Sequence, residues 1–283
     1  GVQDFDPMIQ EVIGRPQSYE VTRAAVEGLR ARGISSLNAD ILYGLPHQDQ
    51  ARMQASVEKL IDLGPDRIAL FGYAHVPWMA RRQKLIPTEA LPSPEARLEL
   101  FELARALFEA AGYRQIGIDH FARPGDGLDI AQKAGTMRRN FQGYTEDKSP
   151  TLIGFGASAI SRYPQGYAQN EPATSKYTAR VQAGDLPIAR GHAFAGDDRI
   201  RARIIEKLLC DFAVDFAAIA GEFDTDATAL IAMAEGLEDA LPGTTERSGT
   251  KLSILESARP LARIIARHFD AYEMNESGHS QAV

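Results

Sequence analysis

From Tyr19 to Arg32, Val21, Ala24, Ala25 and Leu29 return every three to four residues, the spacing of one helix face, and Gly33 supplies a stop. Ser36 to Tyr43 is a short apolar run with strand-forming residues, ended by Gly44 and Pro46. Gln48 to Leu63 returns to helical spacing, with Met53, Val57, Leu60 and Ile61 on one face and Gly64-Pro65 as the break. Arg67 to Tyr73 reads as a second strand. Ser93 as N-cap, Pro94 in the first position and Glu95 in the first turn open the longest helix, Pro94 to Ala111. Tyr113 to Asp119 is a third expected strand and Thr151 to Ser158 a fourth. Strands alternating with helices predict parallel strands joined by helical crossovers. Asp40 then falls in the first strand, His75 after the second, and Asp119 and His120 after the third. That is the face on which a β/α barrel assembles its chemistry.

Near residues 185–196 the strand signal fades. Asp197 to Asp211 is amphipathic, with Ile200, Ile204, Ile205, Leu208 and Leu209 facing one way. Phe212 to Phe223, Ala227 to Leu241 and Glu256 to Tyr272 read as further helices, with a weak hairpin between Gly243 and Leu255. The expected fold is therefore α/β. Residues 1–185 would form part of a (β/α) barrel and residues 186–283 a small, mostly helical domain without chemistry of its own. The tail from Asn275 to Val283 is polar and expected to be loose.

Composition narrows the classes. Of 283 residues, 44 % are hydrophobic and 24 % charged, the balance of a soluble globular chain of one or two domains. No run approaches the roughly 18 apolar residues of a membrane span. A formal net charge of −7 argues against a general nucleic-acid binder. The single cysteine, Cys210, excludes an internal disulfide framework and fits a reducing, cytoplasmic compartment. Cys210 itself reads as a structural thiol on an amphipathic helix.

Against that acidic balance, residues 117–145 stand out. They gather Asp119, His120, Arg123, Lys133, Arg138, Arg139, Asn140, Gln142 and Tyr144 around Phe121 and Phe141, and the stretch from Lys133 to Tyr144 contains cations but no acid. A local positive surface on an acidic chain answers a specific anion, arginine grips carboxylate or phosphate bidentately, and aromatic rings offer faces to a flat ligand. Asp40 sits among strand-forming apolar residues, so its carboxylate needs a partner: a structural cation, or a pair of ligand hydroxyls. Gly154-Phe-Gly-Ala-Ser-Ala159 has the spacing of a dinucleotide fingerprint, but no helix follows, so close backbone approach to a ligand is the better reading. His75 and His120 with Asp40 and Asp119 also raise a metal-dependent barrel hydrolase.

Several segments together carry a resemblance. Gly1-Val-Gln-Asp-Phe5, Asn38-Ala-Asp-Ile-Leu-Tyr-Gly-Leu-Pro46, Tyr73-Ala-His75, Asp119-His-Phe-Ala-Arg-Pro124, Arg139-Asn-Phe-Gln-Gly-Tyr-Thr145 and Gly154-Phe-Gly-Ala-Ser-Ala-Ile160 follow one another as in the oxygen-independent coproporphyrinogen III oxidases, radical S-adenosylmethionine enzymes of haem biosynthesis. The resemblance implies the second part of a radical-enzyme barrel and two molecules of S-adenosylmethionine. Gln3, Arg15 and Asp40 would contact one molecule; Ala74 and Ile160 would line the other. It implies a 5′-deoxyadenosyl radical that takes hydrogen from a propionate β-carbon of coproporphyrinogen III, loss of carbon dioxide, and passage of the remaining electron to an acceptor, with an electron donor and an acceptor as unidentified partners. His75, His120, Arg123, Arg138, Arg139 and Tyr144 are the expected substrate residues, and no catalytic residue is assigned. The family holds its 4Fe–4S cluster through three cysteines in a C-x-x-x-C-x-C loop, which one cysteine cannot supply. The expectation is accordingly a fragment, beginning at Gly1, whose missing N-terminal part binds the cluster. It would be inactive alone and prone to self-association, its parent a cytoplasmic monomer without nucleic-acid or membrane partners. The alternative within the superfamily is a haem-binding chaperone that does not decarboxylate.

Overall fold

The computed structural model describes residues 1–78 and 80–272; the expected loose tail from Asn275 lies outside them. The chain divides into two compact units, one of residues 1–135 with 256–263 and Tyr272, the other of residues 136–255 with 264–271. The sequence pattern changes near 185 instead, so the two divisions differ.

In the first unit, α1 (Pro7–Val12) and α2 (Tyr19–Ala31) precede β1 (Asn38–Tyr43), α3 (Gln50–Leu63) and β2 (Arg67–Gly72). Then come α4 (Pro94–Ala110), β3 (Arg114–Ile116), β4 (His120–Ala122) and α5 (Gly127–Lys133). β1 and β2 pair in parallel from Asn38↔Arg67 to Tyr43↔Gly72, as a helical crossover requires. The sheet order is β1-β2-β4-β3. The expected third strand is broken. Gly117 adopts φ 54°, the chain reverses over 117–119, and β3 and β4 become an antiparallel hairpin that sets β4 antiparallel to β2. Ile41, Ile68, Leu70 and Phe121 on the sheet pack with Met53, Val57 and Leu60 of α3 and with Leu100, Ala104 and Phe108 of α4. Ser93 caps α4 by accepting from the Ala96 amide, as its sequence predicts. α2 forms where the periodicity places it, but Val21, Ala24, Ala25 and Leu29 face solvent; Thr22 is the buried residue.

The second unit holds β5 (Arg138–Asn140), β6 (Gly143–Thr145), β7 (Ile160–Tyr163), β8 (Gly166–Asn170), α6 (Thr174–Gln182) and β9 (Ile188–Ala193). α7 (Asp198–Asp211), β10 (Ala213–Asp215), α8 (Phe216–Phe223), α9 (Ala227–Ala232), α10 (Leu237–Ala240), β11 (Thr245–Ser248) and β12 (Lys251–Ile254) follow. After the short 3-10 turn Glu256–Leu261, α11 (Ala262–Arg267) closes the described helices. β5 and β6 form a hairpin, β7-β8-β9 an antiparallel sheet, and β10-β12-β11 another. Five expectations fail here. The helix expected over Ala227 to Leu241 breaks into α9 and α10, and that over Glu256 to Tyr272 is α-helical only over Ala262–Arg267. Thr151 to Ser158 makes no strand: only Leu152 bridges, to Arg162, and the strand begins at Ile160. β9 falls where strand signals fade, because Ile188-Ala-Arg-Gly-His-Ala193 has no alternation and every one of its residues is exposed; backbone pairing with β8 and polar contacts such as Arg190 Nε to Gln169 Oε1 hold it. The helix expected from Phe212 begins only at Phe216, since residues 213–215 pair with β12. The mixed α/β character holds throughout, and the sheets are small and open among the described residues.

Candidate functional site

Residues 1–5 lie along the outer edge of β1. The Val2 and Gln3 amides donate to the Asp40 carbonyl at 2.8 and 3.0 Å, the Leu42 amide donates to the Gln3 carbonyl at 2.8 Å, and Gln3 bridges Ile41 in parallel. Gln3 is held at φ 70°, a conformation disfavoured for a residue with a Cβ and often kept where a site needs it. This register brings two side chains to Gly1: a Cβ built there would lie 2.6 Å from Gln3 Nε2 and 3.0 Å from Asp40 Oδ2. Arg15, just beyond α1, donates from Nη2 to the Gly1 carbonyl at 3.0 Å. An amide, a carboxylate and a guanidinium therefore meet at one backbone position. Asp40 Oδ1 accepts from Asn38 Nδ2 at 2.8 Å, and Asp40 Oδ2 has no hydrogen-bond donor among the described residues. Such a group can accept from ligand hydroxyls while Arg15 takes a ligand carboxylate.

Beneath this corner, Asp4 is fully buried and accepts from the Asp6 amide, Ser56 Oγ and Gln48 Nε2. Burial pushes its carboxyl above the ordinary carboxylate range, although those three donors pull it down. Sequence reasoning passed over Asp4, yet it ties residues 1–5 to α3.

Past β2, Ala74 is exposed and its carbonyl accepts from Gln83 Nε2 at 3.0 Å. His75 shares Nδ1 with the Tyr73 hydroxyl at 3.3 Å and Nε2 with Thr88 Oγ1 at 3.2 Å. On β4, buried His120 contacts Asp119 Oδ1 through Nδ1 at 2.7 Å, and Arg263 Nη2 donates to Asp119 Oδ2 at 2.6 Å. Arg263 lies far along the chain from Asp119, with no local pattern to announce it. The pair therefore reads as an imidazole oriented by a carboxylate that a guanidinium also holds. Among the described residues no three His, Cys, Asp or Glu side chains converge as a metal site, so the hydrolase reading loses its ligands. Arg123 donates from Nε to the Pro65 carbonyl at 3.2 Å and lies 5.5 Å over the Tyr113 ring, so its guanidinium braces the hairpin.

The remaining candidates belong to the second unit. Arg138 Nη1 donates to Glu206 Oε2 at 3.1 Å and the Arg139 amide donates to Glu206 Oε1 at 3.0 Å. Arg203 Nη1 donates to the same Glu206 Oε2 at 2.7 Å. Burial alone would raise the Glu206 carboxyl; the Arg139 amide and the two guanidiniums outweigh it and hold the group below its ordinary value. Glu206 was missed in the sequence, though an acid within three residues of buried Leu208 and Leu209 is itself a signal of a partnered carboxylate. Arg139 lies 5.8 Å over the Tyr144 ring, and buried Tyr144 donates to the Leu209 carbonyl at 2.9 Å, which makes it a wall rather than a free donor. The glycine segment before Ile160 folds on itself. A Cβ at Gly154 would meet the Ile160 carbonyl oxygen at 2.8 Å, and Asn170 Nδ2 donates to the Gly154 and Gly156 carbonyls. The close approach at Gly154 is thus to the chain's own backbone, where the sequence suggests a ligand.

No protein-family model matches the chain. The oxygen-independent coproporphyrinogen III oxidase of Paracoccus denitrificans is 57 % identical over 283 residues, covering 100 % of this chain and 63 % of that protein. The protein of the same name from Thermostichus vulcanus is 38 % identical over 283 residues, covering 99 % of this chain and 87 % of that protein. A solved structure described as coproporphyrinogen III oxidase (HemN) from Escherichia coli, a radical SAM enzyme, superposes with a TM-score of 0.91 at 35 % identity, covering 96 % of this chain and 63 % of that one. The chain spans about three-fifths of the length of most of these relatives.

Proposed function

The chain belongs to the oxygen-independent coproporphyrinogen III oxidases, and from that premise we propose that it serves the oxidative decarboxylation of coproporphyrinogen III to protoporphyrinogen IX. The observation that carries the proposal furthest is the meeting of Gln3, Arg15 and Asp40 at Gly1. These groups suit S-adenosylmethionine: Asp40 Oδ2 is open to ribose hydroxyls, Arg15 to the amino-acid carboxylate, and the Gln3 amide can donate or accept beside them. Ala74 and Ile160 would flank a second molecule through shape and backbone groups. S-adenosylmethionine, when bound with a reduced cluster, supplies the hydrogen-atom removal that the reaction needs. This chain's residues do not fit the cluster itself. Cys210 is buried, and burial pushes its thiol up to about 12, so it offers no thiolate. The cluster would then be held by residues beyond these 283.

On this reading residues 1–185 are part of a barrel wall, and residues 186–283 form a packing module. His75 and His120 would face the substrate, His120 with its ring fixed by Asp119. Arg138 and Arg139 would offer cations to its propionates, and Tyr144 would line the wall. Their work is to orient the carboxylates and exclude water while a propionate carbon is held for reaction.

Two measurements test this. Calorimetric titration of the chain with S-adenosylmethionine should show binding that Asp40→Asn weakens about tenfold, the cost of losing a charged hydrogen bond; equal binding by both proteins would remove the assignment. A chimera joining these 283 residues to the part of the Paracoccus denitrificans oxidase outside the match should consume coproporphyrinogen III anaerobically with release of carbon dioxide. Haem binding without decarboxylation would point to a carrier instead.

A further inference from the structure

The second unit contains a cleft whose charge runs against that of the chain. A cavity of about 220 Å³ is lined by six cations, Arg138, Arg139, Lys148, Arg162, Arg199 and Arg203, and by two acids, Asp147 and Glu222. Arg138 and Arg203 are neutralised by Glu206, and Arg203 also pairs with Glu222. Lys148, Arg162 and Arg199 have no carboxylate within ion-pair distance among the described residues, and Arg199 lies 5.6 Å over the Phe223 ring. Arg139 carries a buried Nε with no hydrogen-bond partner. Grouping like charges around one concavity costs self-repulsion, and an anionic ligand relieves it.

A second cavity, of about 240 Å³, shares Arg139, Asn140, Arg162 and Ala202 with the first and is otherwise walled by Phe141, Tyr167, Ile205 and Leu209, with Glu206, already held by Arg138 and Arg203, as its one acid. Phe141 meets Tyr167 edge to face at 5.2 Å, so aromatic surface adjoins the two arginines that line both cavities. Each lobe is smaller than the ~300 Å³ of sites that enclose a whole organic ligand. A single ligand reaching both lobes must be acidic at one end and flat and apolar at the other.

We propose that Arg162 and Arg199, joined by Lys148, form the carboxylate-holding end of a site for a ring-bodied organic polyacid whose apolar body rests against Phe141, Tyr167, Ile205 and Leu209. That the polyacid is a tetrapyrrole rests on the function proposed above; the charge and shape of the cleft do not. Its propionates would meet Arg162 and Arg199, which the sequence did not single out, in addition to Arg138 and Arg139.

The test is fluorescence titration of the protein with coproporphyrin III, with its uncharged tetramethyl ester and with benzenehexacarboxylate. Coproporphyrin III should bind at least about tenfold more tightly than the ester, and Arg162→Gln and Arg199→Gln should each weaken it about tenfold, the effect of losing one charge-assisted hydrogen bond. Arg162→Lys should recover part of the loss, and it serves as the folded control should a glutamine variant melt early. Equal binding of acid and ester, or variants that match the native protein, would overturn the site. If the porphyrin fails to bind while benzenehexacarboxylate binds in an arginine-dependent way, the polyacid site stands and the tetrapyrrole reading falls.

Discussion

Cys210 shows how much one side chain's surroundings decide. It is fully buried on α7 near Glu206 and Asp211, and burial first, then those two carboxylates, push its thiol up to about 12. Thiolate, not thiol, reacts and binds metal. Native protein at pH 8 should therefore resist a thiol reagent and label only after urea unfolds it; stoichiometric labelling of the folded protein would contradict the buried placement. The sequence reading of Cys210 as a structural thiol rested on its neighbours Leu208 and Leu209 and agrees with this geometry. Arg123 and Tyr144 were harder to read. Both stand in motif-rich stretches that suggest ligand contact, yet Arg123 is engaged by Pro65 and Tyr113, and the Tyr144 hydroxyl by Leu209. A cation's or a phenol's nearest partner depends on chain crossings that no local spacing encodes.

At the level of elements, legibility followed the strength of the local signal. α3 and α4 lie close to their expected ranges because each combines helical periodicity with a breaker or a cap, and α7 does so on its amphipathic periodicity. β1 and β2 were readable as apolar runs between helices. The β3–β4 hairpin was not, since it turns on the backbone angle at Gly117, and β9 was not, since an exposed edge strand needs no apolar face. α7 also carries a testable electrostatic device. Glu206 accepts from the β5 backbone at Arg139 and from Arg138 and Arg203, so this one carboxylate joins helix and hairpin. Its carboxyl is held below the ordinary value despite burial. The stability it contributes is thus present above the unfolded carboxyl value of about 4.3 and is lost as pH falls through the lower folded value. Glu206→Gln should destabilise by about 3 kcal/mol at neutral pH, the range for breaking a buried ion pair. In urea melts the gap between the two proteins should narrow as pH drops below about 4.3. A gap that stays constant down to pH 3 would place the effect in packing instead of charge.

For the molecule as a whole, the candidate site was legible only through motif order. Gln3, Arg15 and Asp40 share no periodicity, and they meet because residues 1–5 add to the edge of β1. That addition also covers backbone that would otherwise invite another strand. The larger liability lies elsewhere, on the helix that sequence periodicity found most easily. α2 turns Val21, Ala24, Ala25 and Leu29 outward, with Val21 64 % and Leu29 39 % exposed, and Ile34 beyond its end is 43 % exposed. An apolar stripe of this kind on an exposed helix promotes association, and a net charge of −7 gives only diffuse repulsion against it. The protein should therefore self-associate with rising concentration in sedimentation velocity. Replacing Val21 and Leu29 together by Glu should weaken that association on the order of tenfold, since two apolar side chains no longer gain by leaving water. It should leave thermal stability nearly unchanged, because exposed substitutions rarely shift folding by more than about 0.5 kcal/mol. Unaltered association in the double variant would move the cause to the sheet edges, and a large drop in melting temperature would mean that this face of α2 is packed in solution.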